Sequence, residues 1–144
     1  MNKRHLRKRP GKYTPGNFVL KVKRSKAGLG LFAYSAIKKG ACIVEYTGKV
    51  LTKQEEEDSN SLYLFNAGGG VTIDGAARQN TARYVNHSCR PNAEIEIYKR
   101  RVYVFAKRSI KAGEELNYDY DKDYWEEYIK PRGCRCIKCA PHLH

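Results

Sequence analysis

The chain has 144 residues, 41% of them hydrophobic and 11% aromatic, which supplies enough apolar material for one folded domain and argues against a disordered chain. Its net charge is +13, and the first acidic residue is Glu45. Such a field attracts nucleic acid and acidic protein surfaces, although a basic surface without a dedicated partner carries the same charge. No segment has the roughly 18 consecutive apolar residues of a membrane span, and no apolar stretch of a signal peptide follows the basic N-terminus. We therefore expect an intracellular protein without a membrane partner.

The first half of the chain predicts short strands after a basic arm. Residues 1–16 contain four prolines or glycines among many cations, so we expect a mobile arm that could act as a nuclear address or contact DNA. FVLKV, LFAYSAI and ACIVEYTGKVL are apolar runs rich in branched and aromatic residues, which is typical of strands. Thr52, followed three residues later by Glu55, predicts a capped short helix through QEEED.

The second half adds more strands and a cysteine-rich tail. LYLF and VTI predict two strands around three glycines. AEIEIYKRRVYVFA alternates apolar and polar positions on both sides of Lys99-Arg100, which predicts a hairpin. DYWEEYIK predicts a short helix. The sequence therefore predicts a mainly β fold with few helices, in which residues 17–130 form the domain and residues 131–144 form the tail.

Three segments carry residues suited to binding or catalysis. Glycines in Gly28-Leu29-Gly30 would let the backbone approach a ligand closely, or they form an ordinary turn; the third glycine of a dinucleotide-binding fingerprint is missing. RYVNHSCRPN places an amide, an imidazole, a hydroxyl and a thiol in succession, which suits a loop over a polar ligand or a satisfied turn. In ELNYDY, Tyr118 and Tyr120 point the same way on a strand, as an aromatic cluster would also require.

The tail contains three cysteines within six residues, Cys134, Cys136 and Cys139. Three neighbouring thiols cannot all pair with one another as disulfides, but they fit three corners of a tetrahedral zinc site. The residue pattern leaves four candidates open for the fourth ligand, Cys89, His142, His144 and Cys42. Cys42 lies in an apolar run and is the weakest of these, because such a thiol usually behaves as a small hydrophobic side chain.

Taken in chain order, these segments resemble the SET domain over about residues 19–139. The family's paired glycines match AGLGLFA, its Y-x-G motif matches Tyr46 and Gly48, its most specific motif matches RYVNHSCRPN, and its last motif matches GEELNYDY. The tail resembles a post-SET segment, with a C-x-C-x2-C spacing that is shorter than the commoner pattern. The resemblance implies small curled β-sheets with a knot-like core, and a methyl donor and a target lysine that enter from opposite faces.

The resemblance also implies roles for individual residues. S-adenosylmethionine would be bound by Gly28, Leu29, Gly30, Arg83, Asn86 and His87. The catalytic tyrosines would be Tyr46, Tyr118 and Tyr120, with Tyr120 in the main role. A structural zinc ion would be held by Cys89, Cys134, Cys136 and Cys139, and this would fix the tail against the NHSC loop. Tyr118 stands where the family alternates between Phe and Tyr, and a tyrosine there is associated with monomethylation, or at most dimethylation.

The implied function is S-adenosylmethionine-dependent protein-lysine N-methylation. A lysine amine, with a pKa near ~10.4, attacks only in its neutral form, and a cationic donor and a dry tyrosine-lined channel both favour loss of its proton. We expect a histone or histone-like basic tail as substrate. A methyltransferase that acts on a ribosomal or nucleoid protein is a further possibility that differs only in the substrate. The expected location is the nucleus and its chromatin, a nucleoid or the cytoplasm. The alternative is a non-enzymatic, zinc-stapled adaptor that binds chromatin or nucleic acid.

Overall fold

The computed structural model describes residues 11–136 and 138–143. Within them, strands and α-helices are numbered in chain order: β1 (Leu20–Ser25), β2 (Gly28–Ala33), β3 (Cys42–Tyr46), β4 (Lys49–Leu51), α1 (Lys53–Asp58), β5 (Leu64–Asn66), β6 (Thr72–Asp74), β7 (Asn86–His87), β8 (Ala93–Tyr98), β9 (Arg101–Ala106), β10 (Asn117–Tyr118) and α2 (Lys122–Tyr124). The predicted mainly β fold with small sheets and few short helices is confirmed. No helix in the described ranges has the length and apolar character needed to cross a membrane.

The first sheet is the antiparallel pair β1–β2. Its turn consists of Lys26 and Ala27. The glycine pair therefore lies inside β2, whereas the sequence had suggested a position between two strands. The inward face of β2 is buried at Leu31 and Ala33. On its other edge β2 meets the segment before β10, where Leu116 N donates to Leu31 O. This contact brings the last motif beside the glycine pair.

The second sheet has the order β3-β9-β8 and contributes six of the fifteen buried residues of the main core. The predicted hairpin is confirmed as β8–β9, and its tip residues Lys99 and Arg100 adopt positive φ angles of 48° and 60°. One side of β9 packs against the main core. On the other side, Tyr13 stacks on Tyr98 with ring centroids 4.1 Å apart. Residues 1–10 of the predicted arm lie outside the described residues.

The third sheet has the order β4-β6-β5, with α1 next to β4. The predicted capping box is confirmed: Thr52 Oγ1 accepts from Glu55 N at 3.1 Å, and the Glu55 carboxylate accepts from Thr52 N at 3.1 Å. Buried Asn80 links this sheet to β3, because its side chain accepts from Thr47 N and donates to Gly75 O, both at 3.0 Å. One edge of β5 has no strand partner in the described chain.

The centre of the fold is the parallel pair β7–β10, which joins the NHS segment to the last motif. Buried Asn92 and half-buried Asn117 fasten the two segments reciprocally, because each side-chain oxygen accepts from the other residue's backbone N–H, at 2.9 and 3.0 Å. These bonds satisfy polar groups that would otherwise be costly to bury. After β10, the predicted helix begins as α2 and continues as a wider π-helical turn over Trp125–Ile129.

Candidate active site and metal centre

A cleft of about 820 Å³ lies between the β1–β2 turn, β7 and the C-terminal tail. We call it the Asn86 cleft. It is lined by polar and aromatic groups from these segments, among them Ser25, Lys26, Leu29, Arg83, Asn86, His87, Glu115, Tyr120, Tyr124, Tyr128, Arg132 and Cys134. Of the predicted donor-site residues, Leu29, Arg83, Asn86 and His87 line this cleft. Gly28 and Gly30 flank Leu29 in β2 without lining it.

The side chain of Asn86 is held from two sides. Its Nδ2 donates to Leu29 O and to Glu115 Oε2, both at 2.9 Å. Gly30 makes the second contact possible, because a Cβ at Gly30 would lie 2.6 Å from Glu115 Oε2. With both amide hydrogens used, the orientation of the Asn86 amide is fixed. Its Oδ1 has no partner in the described part of the chain and is available to a donor group in the cleft.

His87 connects β7 to the last motif and to the cysteine cluster. Its Nδ1 accepts from Tyr120 N at 3.0 Å, so its Nε2 carries the hydrogen and faces Cys89 Sγ at 3.2 Å. Burial lowers the pKa of His87, against the opposing effect of nearby Asp119. The neutral ring therefore acts as a spacer of fixed orientation between the Tyr120 backbone and Cys89.

A second cavity, of about 710 Å³, lies between β5, β8 and the segment that follows β10. We call it the tyrosine groove. It is lined by aromatic, apolar and acidic side chains, Tyr46, Leu62, Tyr63, Leu64, Phe65, Ile95, Ile97, Tyr118, Asp119, Tyr120, Asp121, Asp123 and Tyr124 among them. The cleft and the groove share Tyr63, Arg83, Tyr120 and Tyr124 in their walls. The two cavities therefore adjoin, and the three predicted catalytic tyrosines all line the groove.

The hydroxyls of Tyr46 and Tyr120 each donate to a backbone carbonyl. Tyr46 Oη donates to Tyr63 O at 2.7 Å, and Tyr120 Oη donates to Val85 O at 2.5 Å. Burial raises the pKa of both phenols well above the ordinary value, so both remain protonated at neutral pH. Since each hydroxyl hydrogen is already used, the oxygens offer their lone pairs to a donor in the groove. The Tyr118 ring lies 4.7 Å from that of Tyr120.

Arg83 is the cation in the wall that the two cavities share. Its guanidinium stacks over the Tyr63 ring at 4.2 Å and over the Tyr84 ring at 5.1 Å, and it donates to Ala76 O. Its Nε is buried without a hydrogen bond. Arg83 therefore fastens the loop before β7 and also sets a positive charge beside the tyrosines.

The four predicted metal ligands converge. The Sγ atoms of Cys89, Cys134, Cys136 and Cys139 all lie within 4.8 Å of one another. Cys89 Sγ is 4.0 Å from Cys134 Sγ and 3.7 Å from Cys139 Sγ. A tetrahedron of thiolates around zinc, with Zn–S near 2.3 Å, has edges of about 3.8 Å. The set therefore fits a closed tetrahedral zinc site, with no position left for catalysis.

The electrostatics of the thiols agree with a site built for a cation. Burial raises the pKa of Cys89, and a bound cation is what would favour its thiolate there. At Cys136, burial acts in the same direction, but hydrogen bonds from the backbone N–H groups of Cys89 and Cys139 lower the pKa to about 6. Cys42 is separate: it is buried beside Tyr103 and Phe105, and burial raises its pKa to about 11.

The other two candidates for the fourth ligand have different outcomes. His142 does not belong to the converging group of the described residues, and His144 lies outside the described residues. Cys89 is the candidate that completes the cluster, as the resemblance implied.

Sequence reasoning missed several residues of these cavities. Glu115, in GEEL, was assigned no role of its own, although it directly fixes Asn86. Tyr63 and Tyr124 have no neighbouring motif, and only the folded chain brings them to the wall that both cavities share. The one signal available in the sequence was the position of Glu115, an acidic residue that directly precedes the strand of a polar motif.

Comparison with known proteins identifies the family. The SET-domain family profile matches residues 28–121. The chain is 39% identical over 135 residues to histone-lysine N-methyltransferase trr of Drosophila melanogaster, covering 84% of this chain and 6% of the relative. It is 37% identical over 121 residues to histone-lysine N-methyltransferase ash1 of the same species, covering 76% of this chain and 5% of the relative. It is 31% identical over 128 residues to histone-lysine N-methyltransferase ASHH3 of Arabidopsis thaliana, covering 80% of this chain and 34% of the relative.

These three relatives are much longer proteins, and the chain spans between 5% and 34% of their length. The profile, by contrast, covers most of this chain and includes the glycine pair, the NHSC segment and the tyrosines of the last motif. The cysteine cluster that follows it is consistent with a post-SET segment. The chain belongs to the SET-domain family.

Proposed function

We propose that the chain is an S-adenosylmethionine-dependent protein-lysine N-methyltransferase that acts on a histone or a histone-like basic protein. The observation that carries the proposal is the wall shared by two cavities, one built around a fixed asparagine amide and one lined by three tyrosines. A methyl donor in the Asn86 cleft and a lysine in the tyrosine groove would meet at Tyr120. The names of the relatives, all histone-lysine N-methyltransferases, support the substrate class.

The Asn86 cleft suits the polar parts of S-adenosylmethionine. This co-substrate supplies a methyl group on a cationic sulfur. The free Oδ1 of Asn86 would accept from a donor group of the ligand, Leu29 and the backbone of β2 would contact it closely, and His87 would keep β7 in register with β10. Gly28, with a φ of 103° and open space at its Cβ position, would let the β1–β2 turn follow the ligand.

The tyrosine groove suits the amine. With their hydrogens donated to Val85 O and Tyr63 O, the Tyr120 and Tyr46 oxygens can accept N–H groups of a neutral lysine and so direct its lone pair towards the Asn86 cleft. The Arg83 guanidinium, a like charge in the shared wall, disfavours the protonated amine. Holding the amine at about 3 to 3.5 Å from the methyl group accounts for most of the acceleration in such a displacement.

The finer proposals concern product, metal, partner and location. Monomethylation, with dimethylation as the upper limit, is supported by the presence of a tyrosine at position 118, which lines the groove beside Tyr120. The cysteine tetrahedron supports a structural zinc ion. A DNA contact through the basic residues 1–16 would suit a substrate on chromatin or a nucleoid, and so would a location in the nucleus.

The test measures binding and turnover together on the whole chain. We expect binding of S-adenosylmethionine by calorimetry and transfer of labelled methyl to lysine in a histone mixture, identified by mass spectrometry. Tyr120→Phe should lower kcat by roughly 100-fold with little change in donor affinity, because the oxygen that orients the amine is lost. Tyr34→Phe, an exposed tyrosine outside both cavities, is the matched control.

Two results would overturn this proposal. Donor binding without labelling of any protein in histone, ribosomal or nucleoid extracts would favour the adaptor alternative. Full labelling by Tyr120→Phe would reject the role of Tyr120.

A further inference from the structure

The walls of the tyrosine groove differ in chemistry. One wall comes from β8 and from β5 with the residues before it, and it is apolar. Leu62 is 50% exposed and Ile97 47% exposed, which makes them two of the large hydrophobic side chains that the fold leaves open to solvent. Both line the groove beside Leu64 and Phe65. Exposed apolar groups concentrated in one concave wall indicate a surface that is covered by an apolar partner.

The opposite wall, which follows β10, is acidic. Asp119, Asp121 and Asp123 line it, and none of them has an ion pair with a lysine or arginine of the described residues. The nearest ring nitrogen to Asp119 is His87 Nδ1 at 3.6 Å, and this atom accepts a hydrogen bond from Tyr120 N and so carries no proton. In a chain with a net charge of +13, three carboxylates without a cation partner form a local negative region.

The floor of the groove adds an independent observation. The side chain of Tyr118 is half-buried beside Tyr120, and its hydroxyl forms no hydrogen bond with any residue of the described chain. Because this hydroxyl is not a buried atom, it is open to the groove and can donate to, or accept from, a polar group that enters the groove. An occupant of the groove can therefore supply the hydrogen-bond partner that the Tyr118 hydroxyl does not find in the described chain.

We infer that the groove selects a target lysine that has a basic residue on one side and an apolar residue on the other. This rests on the proposed function, because the lysine itself must reach Tyr118 and Tyr120. A basic neighbour would face Asp119 and Asp123, while an apolar neighbour would cover Leu62 and Ile97. A uniformly basic segment would leave the apolar wall exposed and would be repelled by the rest of the chain, and a uniformly apolar one would leave the aspartates without a cation.

Four peptides of equal length test the inference on the full chain. The target lysine is flanked by arginine on both sides, by leucine on both sides, by leucine then arginine, or by arginine then leucine. We expect one of the two mixed peptides to have a kcat/KM roughly 3- to 10-fold above both uniform peptides, since each partly exposed contact contributes only modestly. Mixed peptides no better than the arginine-flanked one would overturn the inference.

Variants of the walls assign the effect to its residues. Changing Asp119 and Asp123 together to asparagine should remove the gain from arginine and keep the gain from leucine, while Leu62→Ser should do the reverse. The matched controls are Glu57→Gln on α1 and Val50→Ser on β4, which are exposed and lie outside the groove. Both controls should retain the preference for the mixed peptide.

The same assay separates this inference from the proposed function. If neither a peptide nor a histone is methylated, the proposed function fails and the inference fails with it. If peptides are methylated with equal efficiency whatever their flanks, or if the wall variants keep the wild-type preference, only the selection by the two walls is rejected.

Discussion

At the residue scale, the orientation of one amide depends on Glu115, an acid of the last motif that the sequence analysis left without a role. Asn86 Nδ2 is shared between Leu29 O and Glu115 Oε2, at equal distances of 2.9 Å. Without the carboxylate, the bond to Leu29 O would be the main remaining restraint on the amide, and Oδ1 would be directed into the cleft less firmly. Glu115 is therefore a positioning residue for the proposed donor site, and it acts through Asn86.

The first prediction removes this support. Glu115→Ala should raise the KM for S-adenosylmethionine by about 5- to 10-fold, within the range expected for the net loss of one ordinary hydrogen bond, with a smaller effect on kcat. Glu115→Gln keeps an acceptor oxygen for Asn86 and should restore most of the affinity. Steady-state kinetics with varied donor, together with thermal unfolding of each variant, provide the measurement. Equal losses in Glu115→Ala and Glu115→Gln would contradict the positioning role.

A second prediction concerns the Tyr118 hydroxyl, which occupies space beside Tyr120 without a hydrogen-bond partner in the described chain. Tyr118→Phe should leave the first methyl transfer within about threefold of wild type, because the ring and its packing remain. The space released should admit an already methylated amine, so dimethyl and trimethyl products should increase. Mass spectrometry of the product lysine over time gives the distribution. An unchanged distribution would reject Tyr118 as the residue that limits the methylation state.

At the element scale, the short helix α1 depends on its N-terminal cap. None of its residues is buried, so little hydrophobic burial holds it, and the reciprocal bonds between Thr52 and Glu55 satisfy two backbone N–H groups that would otherwise lack partners. The Glu55 carboxylate also pairs with Lys49 of β4, which attaches the helix to the third sheet. Hydrogen bonding to Lys49 lowers the pKa of Glu55.

The third prediction tests this cap. Thr52→Ala should lower the free energy of unfolding by about 1 kcal/mol, as expected for the loss of an N-cap side chain. Urea unfolding gives the value, and Thr52→Ser, which keeps the capping oxygen, should stay close to wild type. Peptide methylation should not change, because α1 is next to β4 and the groove lies at β5. A loss of methylation in a variant that remains folded would argue that α1 contributes to the groove.

The same elements explain how far sequence reasoning reaches. The hairpin β8–β9 and the α1 cap were predictable because alternation and capping are local: the signal and the contact lie within a few residues. Whether the glycine pair forms a turn or a close approach stayed open, because its constraint, the approach of Glu115 to Gly30, comes from a residue far along the chain. For the same reason composition and spacing could not choose Cys89 over other candidates, and the family resemblance supplied that choice.

At the scale of the whole molecule, the cysteine tail closes one side of the Asn86 cleft. Tyr128, Arg132 and Cys134 contribute to its wall, and Arg135 Nη1 donates to Lys26 O of the β1–β2 turn at 3.4 Å. Cys89 follows the NHS segment directly, so a metal ion shared by Cys89 and the tail would join both sides of the cleft. The tail spacing, although short, brings the thiols to distances suited to zinc.

The fourth prediction separates the metal from the rest of the fold. Chelation should release about one zinc ion per chain, measured by mass spectrometry, and expose the four clustered thiols to a thiol reagent. The Kd for S-adenosylmethionine should rise at least about tenfold because the tail no longer holds the cleft wall, while far-ultraviolet circular dichroism should retain the β signal of the four sheets. One equivalent of zinc should restore binding.

Cys139→Ser should reproduce the effect of chelation, whereas Cys42→Ala, which changes a thiol outside the cluster, should keep its zinc. If the donor affinity survives loss of the metal, the tail does not depend on the thiolates for its position, and the contact between Arg135 and Lys26 would be the next candidate to change.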